Sequence, residues 1–415
     1  MDYAIIRKII RDCAKLDRIA YDRVPVVTVA HDNDRSLLHN GKYYSPLIDT
    51  IEDDLSSKGL HCVSIARIIS TIKGEIAYGR VVSPEGGFAR ALVQKRLLGL
   101  VRRNTYPYSR MEEAVWGDIL DKTGAKKVFG IQPSRELCVA CHKRGVWVAD
   151  VQHGVIADTH PWYGEAFRVG DPGEYLPDAF LLWDSGSEKV IAKWARAKSI
   201  SMHVIGNRWL ARFARPLKDD RLVAELSRNY EHEATKDNEK KTILVSLSWG
   251  EDNIPNGFIV DGLENVIRKT AHIYRWLIRL HPNQIRGFAT DEGPRFVKYF
   301  NNNLRGCAEW EQATRAPLPV ILKNIDLHIS WHSSVCIEAA QMGVKSALLN
   351  PRLRSRELIG DYYSYYRHAG LVELVREKQT DIASWIERNI DSKRSAELFE
   401  EVDESYRQLI NFLSE

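Results

Sequence analysis

Asp326-Leu-His-Ile-Ser-Trp-His-Ser-Ser-Val-Cys-Ile-Glu-Ala-Ala-Gln-Met-Gly343, followed by Val344-Lys-Ser-Ala-Leu-Leu-Asn350-Pro351, reads as strand, tight polar turn, amphipathic helix, glycine stop and second strand. The turn puts His332, Ser333 and Ser334 at the first turn of the helix. Unpaired backbone N–H groups and the helix dipole favour an anion there, and a nucleotide phosphate is the natural guest. Glu338 follows about one helical turn on, within reach of a ribose hydroxyl. The same residues could serve the helix alone, Ser333 as its cap and Glu338 as a solvated side chain.

Two further strand ends carry polar chemistry. Tyr274-Arg-Trp-Leu-Ile-Arg-Leu-His281-Pro282-Asn283 is a strand ending in His-Pro, where the proline stops the strand and restricts the residue before it. Lys241-Thr-Ile-Leu-Val-Ser-Leu-Ser-Trp249-Gly250-Glu251-Asp252 is an apolar strand running into glycine and two carboxylates, which an ordinary loop would also explain. Ligands of open α/β sheets bind beyond the carboxyl ends of the strands, so His281, Gly250 and the serine turn are expected at one crevice.

At 415 residues the chain is too long for one ordinary core, and two domains are expected. Hydrophobic residues at 44% and charged ones at 27% are those of a soluble globular protein. A net charge of +4 is too balanced for a nucleic-acid partner, although local basic patches could meet anionic lipid or a sugar phosphate. The charged start of the chain has no signal-peptide core and no run is long enough to span a membrane, so a cytoplasmic location is expected. Cys138-Val-Ala-Cys141-His142 matches the spacing for covalent haem attachment. Without an export signal, and flanked by an ordinary strand and helix pattern, it reads instead as a helix with both cysteines buried. No second cysteine or histidine pair completes a zinc site.

The first half alternates short strands with helices, as parallel α/β sheets do. Candidate strands are Pro25–Ala30, His61–Ala66, Lys127–Ile131, Val146–Gln152, Ala179–Trp183 and Met202–Ile205. A basic helix around Arg90–Arg103 is expected on the acceptor or membrane side, and Gly86-Gly87 as a flexible turn. The organisation expected is a first domain over 1–206, a charged connector over 207–240, a second domain over 241–390, and a final helical stretch over 391–415 that crosses back.

In the first domain Val146-Trp-Val-Ala-Asp-Val-Gln152-His153-Gly154 puts an imidazole at a strand end, with glycine admitting close ligand approach. Asp158-Thr159-His160-Pro161-Trp162-Tyr163 adds an acid, a second histidine and two aromatics of the kind that stack on sugar faces.

Together, Gln152-His153-Gly154, His281-Pro282, Ser333-Ser334 and Glu338 resemble the GT-B glycosyltransferases of bacterial capsule and lipopolysaccharide assembly, closest to the β-Kdo transferases and the CMP-sialyltransferases. Tyr362-Tyr-Ser-Tyr-Tyr366-Arg-His-Ala-Gly370 resembles the loop after their last donor-site strand. The resemblance covers most of the second domain and a short part of the first. It implies an α/β fold of two Rossmann-like domains facing a central cleft. It also implies that His281, Pro282, Asn283, His332, Ser333, Ser334, Glu338 and Gly250 bind the donor, with His281 on its phosphate and Glu338 on its ribose. Asp252 or Glu251 would be the nucleophile, with His153 and Asp158 as further catalytic candidates and Asp32 and Asp34 as rival bases. Gln152, Gly154, His160, Trp162 and Tyr163 would lie on the acceptor side. In sialyltransferases the acidic pair precedes its glycine and belongs to the first domain. Here the glycine comes first and lies in the second.

The function expected is transfer of a sugar, Kdo or a related acid from a CMP donor, to a surface glycan or lipid-linked glycan, with peripheral membrane association. Such acids form stabilised oxocarbenium ions, so neither a metal nor another cofactor is expected. The alternatives are a CDP-glycerol-type polyol-phosphate transferase, a UDP-sugar epimerase on the same fold and a non-catalytic assembly protein. Dehydrogenase chemistry is disfavoured because no GxGxxG follows an N-terminal strand.

Overall fold

A computed structural model describes residues 3–67, 69–102, 107–160, 162–165, 170–234, 240–249, 254, 257–285, 291–355, 361–394 and 402–415, apart from the side chains of 3–5, 102, 229 and 231–234. The chain divides into two compact units. Unit 1 comprises Met1–His153, Pro161–Arg208 and Val402–Glu415, and unit 2 comprises Gly154–His160 and Trp209–Glu401.

Unit 1 is built on β1 (Val26–Ala30), β4 (Cys62–Ala66), β5 (Val81–Val82), β6 (Lys127–Gly130), β7 (Trp147–Val151), β8 (Ala179–Leu182) and β9 (Ser201–Val204), with a separate hairpin of β2 (Leu37–His39) and β3 (Lys42–Tyr44). The seven strands are all parallel, in the order β5-β4-β1-β6-β7-β8-β9. β1, β6 and β8 are buried along their whole length, and two apolar clusters divide the space above and below the sheet. A strand covered on both faces must be apolar throughout, which is why these segments show no alternation. The helix Arg135–His142 buries Cys138 and Cys141 in one cluster, and burial pushes the Cys141 thiol well above its ordinary pKa. His142 Nε2 lies 3.2 Å from Asp178 Oδ1, a carboxylate that, as the largest influence, raises the imidazole's pKa. Gly86 and Gly87, expected as a flexible turn, are instead in the first turn of the helix Glu85–Arg102, and their N–H groups donate to the Asp17 carboxylate at 2.8 and 2.6 Å.

Unit 2 has five parallel strands, β10 (Thr242–Ser246), β11 (Arg275–Arg279), β12 (Leu327–Ser330), β13 (Lys345–Leu348) and β14 (Val372–Leu374), ordered β11-β10-β12-β13-β14. The sheet order reverses at β1/β6 in unit 1 and at β10/β12 in unit 2. Such switch points leave a crevice beyond the carboxyl ends of the strands. The stretch expected as a connector carries the helices Arg208–Ala214 and Arg221–Ala234. Both bond to unit 2, where Gln312 Nε2 donates to Tyr230 O and Lys323 Nζ to Phe213 O. The chain returns to unit 1 at Val402, and the helix Asp403–Ser414 buries Tyr406, Leu409, Ile410 and Leu413 there. Lys127 Nζ accordingly donates to Phe412 O at 2.5 Å.

Candidate functional site

Hydrogen bonds tie the carboxyl ends of three neighbouring strands of unit 2 together. Ser330, the last residue of β12, donates its hydroxyl to Ser246 O of β10 at 2.8 Å and accepts the N–H of Ser333 at 3.1 Å. Gln284 Nε2, after β11, donates to Ser248 O at 3.2 Å, while its Oε1 accepts the His281 N–H at 2.8 Å. The His-Pro turn and the serine turn are thereby both fixed to the end of β10. Short polar side chains suit this role, because they bridge loops without filling the crevice.

His281 is half-buried, and burial lowers its pKa to about 4, so it is neutral at physiological pH. Its Nδ1 accepts the Asn283 N–H at 3.1 Å, which leaves the proton on Nε2 as a donor. The Trp249 ring lies against the imidazole, centroids 5.9 Å apart. His328 is the contrasting case. It is fully buried between Ser246 and Ser346 at 2.6 and 2.9 Å, both nitrogens are engaged, and burial lowers its pKa to about 3. That histidine is structural.

The serine pair divides its labour. Ser333 spends its N–H on Ser330, and its hydroxyl accepts the Val335 N–H at 3.3 Å. Ser334, at the cap position of the helix Val335–Gln341, makes no side-chain cap bond, and neither its N–H nor its hydroxyl has a protein partner among the described residues. Nearby, Ser248 Oγ and Trp331 Nε1 are buried without a partner and line one small pocket with Val245, Ile254 and Phe258. Unpaired buried polar atoms are costly, so their concentration at a switch point is informative.

Glu338, in the first turn of that helix, has its pKa raised by burial to about 7, against the attraction of Arg279 at the end of β11. Arg279 donates to the carbonyls of Ala313 and Ala316 at 2.5 and 2.7 Å, and burial lowers its pKa to about 10. His332 lies within 3.1 Å of Asn350 Nδ2 through Nδ1, and its carbonyl accepts the Tyr363 hydroxyl. Burial, followed by Arg352, lowers its pKa to about 4. Gly250, Glu251 and Asp252 lie outside the described residues, as does Pro161. Pro282 is exposed at the start of the short helix Pro282–Ile285, and Asn283 is half-buried within it.

The residues expected on the acceptor side are split. Gln152 is buried and holds β7 to β8, with Oε1 accepting the Trp183 N–H at 2.7 Å and Nε2 meeting Ser187 at 3.0 Å. His153 Nδ1 is 2.9 Å from the Tyr163 hydroxyl. Tyr163 is 1% exposed and packed edge-on to Phe180, so it positions the imidazole and offers no face to a sugar. Trp162 Nε1 is engaged with Asp150 at 3.3 Å. The segment Gly154–His160 belongs to unit 2, with Asp158 half-buried in it. There Thr159 donates to Asp361 and His160 stacks on Tyr362, centroids 6.1 Å apart. A Cβ on Gly154 would meet nothing within 4 Å, so packing within the protein does not require the glycine. Asp32 is saturated by Thr71 N, Thr71 Oγ1 and Ile72 N at 2.6, 2.7 and 3.2 Å. Asp34 accepts the His31 N–H, with its pKa raised by burial.

No protein-family model matches the sequence, and no curated protein matches it either. Solved structures do. A UDP-GlcNAc 2-epimerase from Methanocaldococcus jannaschii is similar over 93% of this chain and 99% of its own, at 13% identity and a TM-score of 0.57. The fold is GT-B. The UDP-GlcNAc 2-epimerase from Neisseria meningitidis, bound to UDP-GlcNAc, matches 94% of this chain and 99% of its own, also at 13% identity and a TM-score of 0.57. The wall teichoic acid polymerase TagF matches 100% of this chain and 92% of its own, at 11% identity and a TM-score of 0.54. These neighbours are enzymes of nucleotide-activated substrates, and at such identities the likeness is one of fold.

Proposed function

We propose that this protein is a transferase that holds a nucleotide-activated donor at the β10/β12 switch point of unit 2 and passes the activated group to an acceptor hydroxyl. The observation that carries this reading is the set of unspent donors on three tied strand ends: His281 Nε2–H, the Ser334 N–H and hydroxyl, Ser248 Oγ and Trp331 Nε1. A phosphate presents acceptor oxygens only, and it meets neutral donors that cost no desolvation of a positive charge. Glu338 is proposed to hold the ribose. The donor is proposed to be a CMP-linked sugar acid, Kdo or a relative, on the strength of the motif resemblance, and the acceptor a surface or lipid-linked glycan. Glu251 or Asp252, which follow Trp249 in the chain, are the proposed nucleophiles, and His153, oriented by Tyr163, the proposed proton acceptor in unit 1. No metal or other cofactor is invoked, so chelator should leave turnover unchanged.

A second reading, transfer of a polyol phosphate from a CDP donor, is favoured by the match to the teichoic acid polymerase along 100% of this chain. The product separates the two. Incubation with CMP-Kdo, CDP-glycerol and UDP-GlcNAc, each with and without a glycan acceptor, should yield CMP and a new glycosidic bond from the first alone. A phosphodiester product would install the second reading. Conversion of UDP-GlcNAc without acceptor would replace both with epimerisation.

A further inference from the structure

The exterior of unit 1 carries an apolar face that no described residue covers. On the helix Glu85–Arg102 the exposed positions are Val93, Arg96, Leu97, Leu100 and Val101. Their spacing of three, one, three and one places them on a single stripe. Leu100 and Val101 are 78% and 82% exposed, while Phe88, Ala89 and Ala91 of the same helix are buried. A solvated helix face would carry charge at most of these positions, and this one carries one arginine among four aliphatics.

The N-terminal helix Tyr3–Cys13 repeats the division. Ile9 and Asp12 are buried, whereas Ile6, Arg7, Ile10 and Arg11 are exposed, and Leu16 just beyond is 75% exposed. The two helices are packed together where the first one ends. Arg90 Nη1 donates to Cys13 O at 3.0 Å and to Lys15 O at 3.1 Å, and a Cβ on Gly86 would fall 2.2 Å from Lys15 O. Glycine is therefore required for this close approach.

Charge identifies the occupant. Residues 1–18 and 85–103 carry ten Lys and Arg against four Asp and Glu, a net of +6, which exceeds the +4 of the entire chain. Three of the four acids are already engaged: Asp12 by Lys8 and Lys15 at 3.0 and 2.9 Å, Asp17 by the Gly86 and Gly87 N–H groups, and Glu85 by Lys15 and Lys73. The basic residues Arg7, Arg11 and Arg96 stand among the exposed aliphatics. We propose that this face docks unit 1 on an anionic lipid bilayer, with the aliphatic stripe entering the interface and the arginines meeting headgroup phosphates. Amphipathic helices with an apolar row beside a basic one bind such surfaces by summing apolar burial and charge attraction. A second copy of the chain would bring two strongly positive faces together, which repel. No described helix is long and apolar enough to cross a membrane, so the attachment is to one leaflet.

The test is co-sedimentation of the full chain with neutral phosphatidylcholine vesicles and with vesicles one-third phosphatidylglycerol, at low and at molar salt. Binding is expected to the anionic vesicles only, and molar salt should release the protein because the Debye length then falls to about 3 Å. The triple variant Arg7→Ala, Arg11→Ala, Arg96→Ala should lose about a hundredfold in partitioning. The pair Leu100→Glu, Val101→Glu should lose at least about thirtyfold. All substituted side chains are exposed, so thermal stability and nucleotide binding should be unchanged; this separates failure here from failure of the proposed reaction. Absence of vesicle binding, equal binding to neutral vesicles, or a lipid-free dimer that the Leu100→Glu, Val101→Glu pair dissolves would each overturn the proposal.

Discussion

The two sheets end in opposite ways. Beyond the switch point of unit 1, polar groups are spent on one another. Arg35, 1% exposed, lies 2.8 Å from Asp49, 0% exposed, and donates to Ser64 as well. Thr28 donates to Glu52, and Asp32 is saturated by the Thr71–Ile72 turn. Burial pushes the carboxyls of Asp49 and Glu52 upward, with Arg35 the cation between them. Beyond the switch point of unit 2, serines and a glutamine hold the strand ends in place, while His281, Ser334, Ser248 and Trp331 keep donors in reserve. A polar strand end is therefore uninformative by itself. What distinguishes a frame from a binding site is whether the donors already have acceptors.

That contrast can be broken at four places. The largest effect is expected in unit 1: Arg35→Leu leaves Asp49 buried without its cation and should cost about 3–5 kcal/mol by chemical denaturation. In whatever folded protein remains, nucleotide affinity should be unaltered. In unit 2 the order of effects inverts. His281→Ala should leave thermal stability within about 1 kcal/mol of the parent, yet cost about 2 kcal/mol of nucleotide binding, roughly thirtyfold.

Glu338→Gln tests the electrostatics of the same crevice. A carboxyl whose folded pKa is raised from 4.5 to about 7 contributes stability that is complete below pH 4.5 and is lost as pH rises through 7. The full shift is worth about 3 kcal/mol, and partial exposure reduces it to about 1–2 kcal/mol. Denaturation should thus find variant and parent alike at pH 4.5, with the variant the more stable at pH 8. The smallest effect is expected for Trp331→Phe. Its N–H has no partner to lose, so stability should hold or rise by about 0.5 kcal/mol, while nucleotide affinity falls several-fold.

Much of the frame was legible because buried parallel strands are written as short apolar runs. All six strands expected in the first half are present to within a residue or two, from Val26–Ala30 to Ser201–Val204. β5, with two residues, and the hairpin Leu37–His39/Lys42–Tyr44 are too short for a period to register. The stretch 207–240 looked like a connector because it is charged, but a charged outer face is compatible with a packed inner one, and Leu222, Val223, Leu226 and Tyr230 are buried. At the candidate site the motifs drew attention to His281 and to both serines. Which serine keeps its donors depends on Ser330, and no motif marks that residue. The Thr159–Asp361 contact joins residues 202 positions apart, and the burial of Tyr163 depends on Phe180 and Trp194. Such pairings arise only once the chain has folded.

The central claim is that the unspent donors of unit 2 receive a nucleotide phosphate. Calorimetric titration of CMP, CDP, UDP and GDP into the parent protein and into His281→Ala tests it most directly. Saturable binding of at least one nucleotide, with CMP preferred and the affinity reduced roughly thirtyfold in the variant, is the result expected. Absence of binding by all four, or binding that His281→Ala leaves untouched while the protein stays folded, would contradict it.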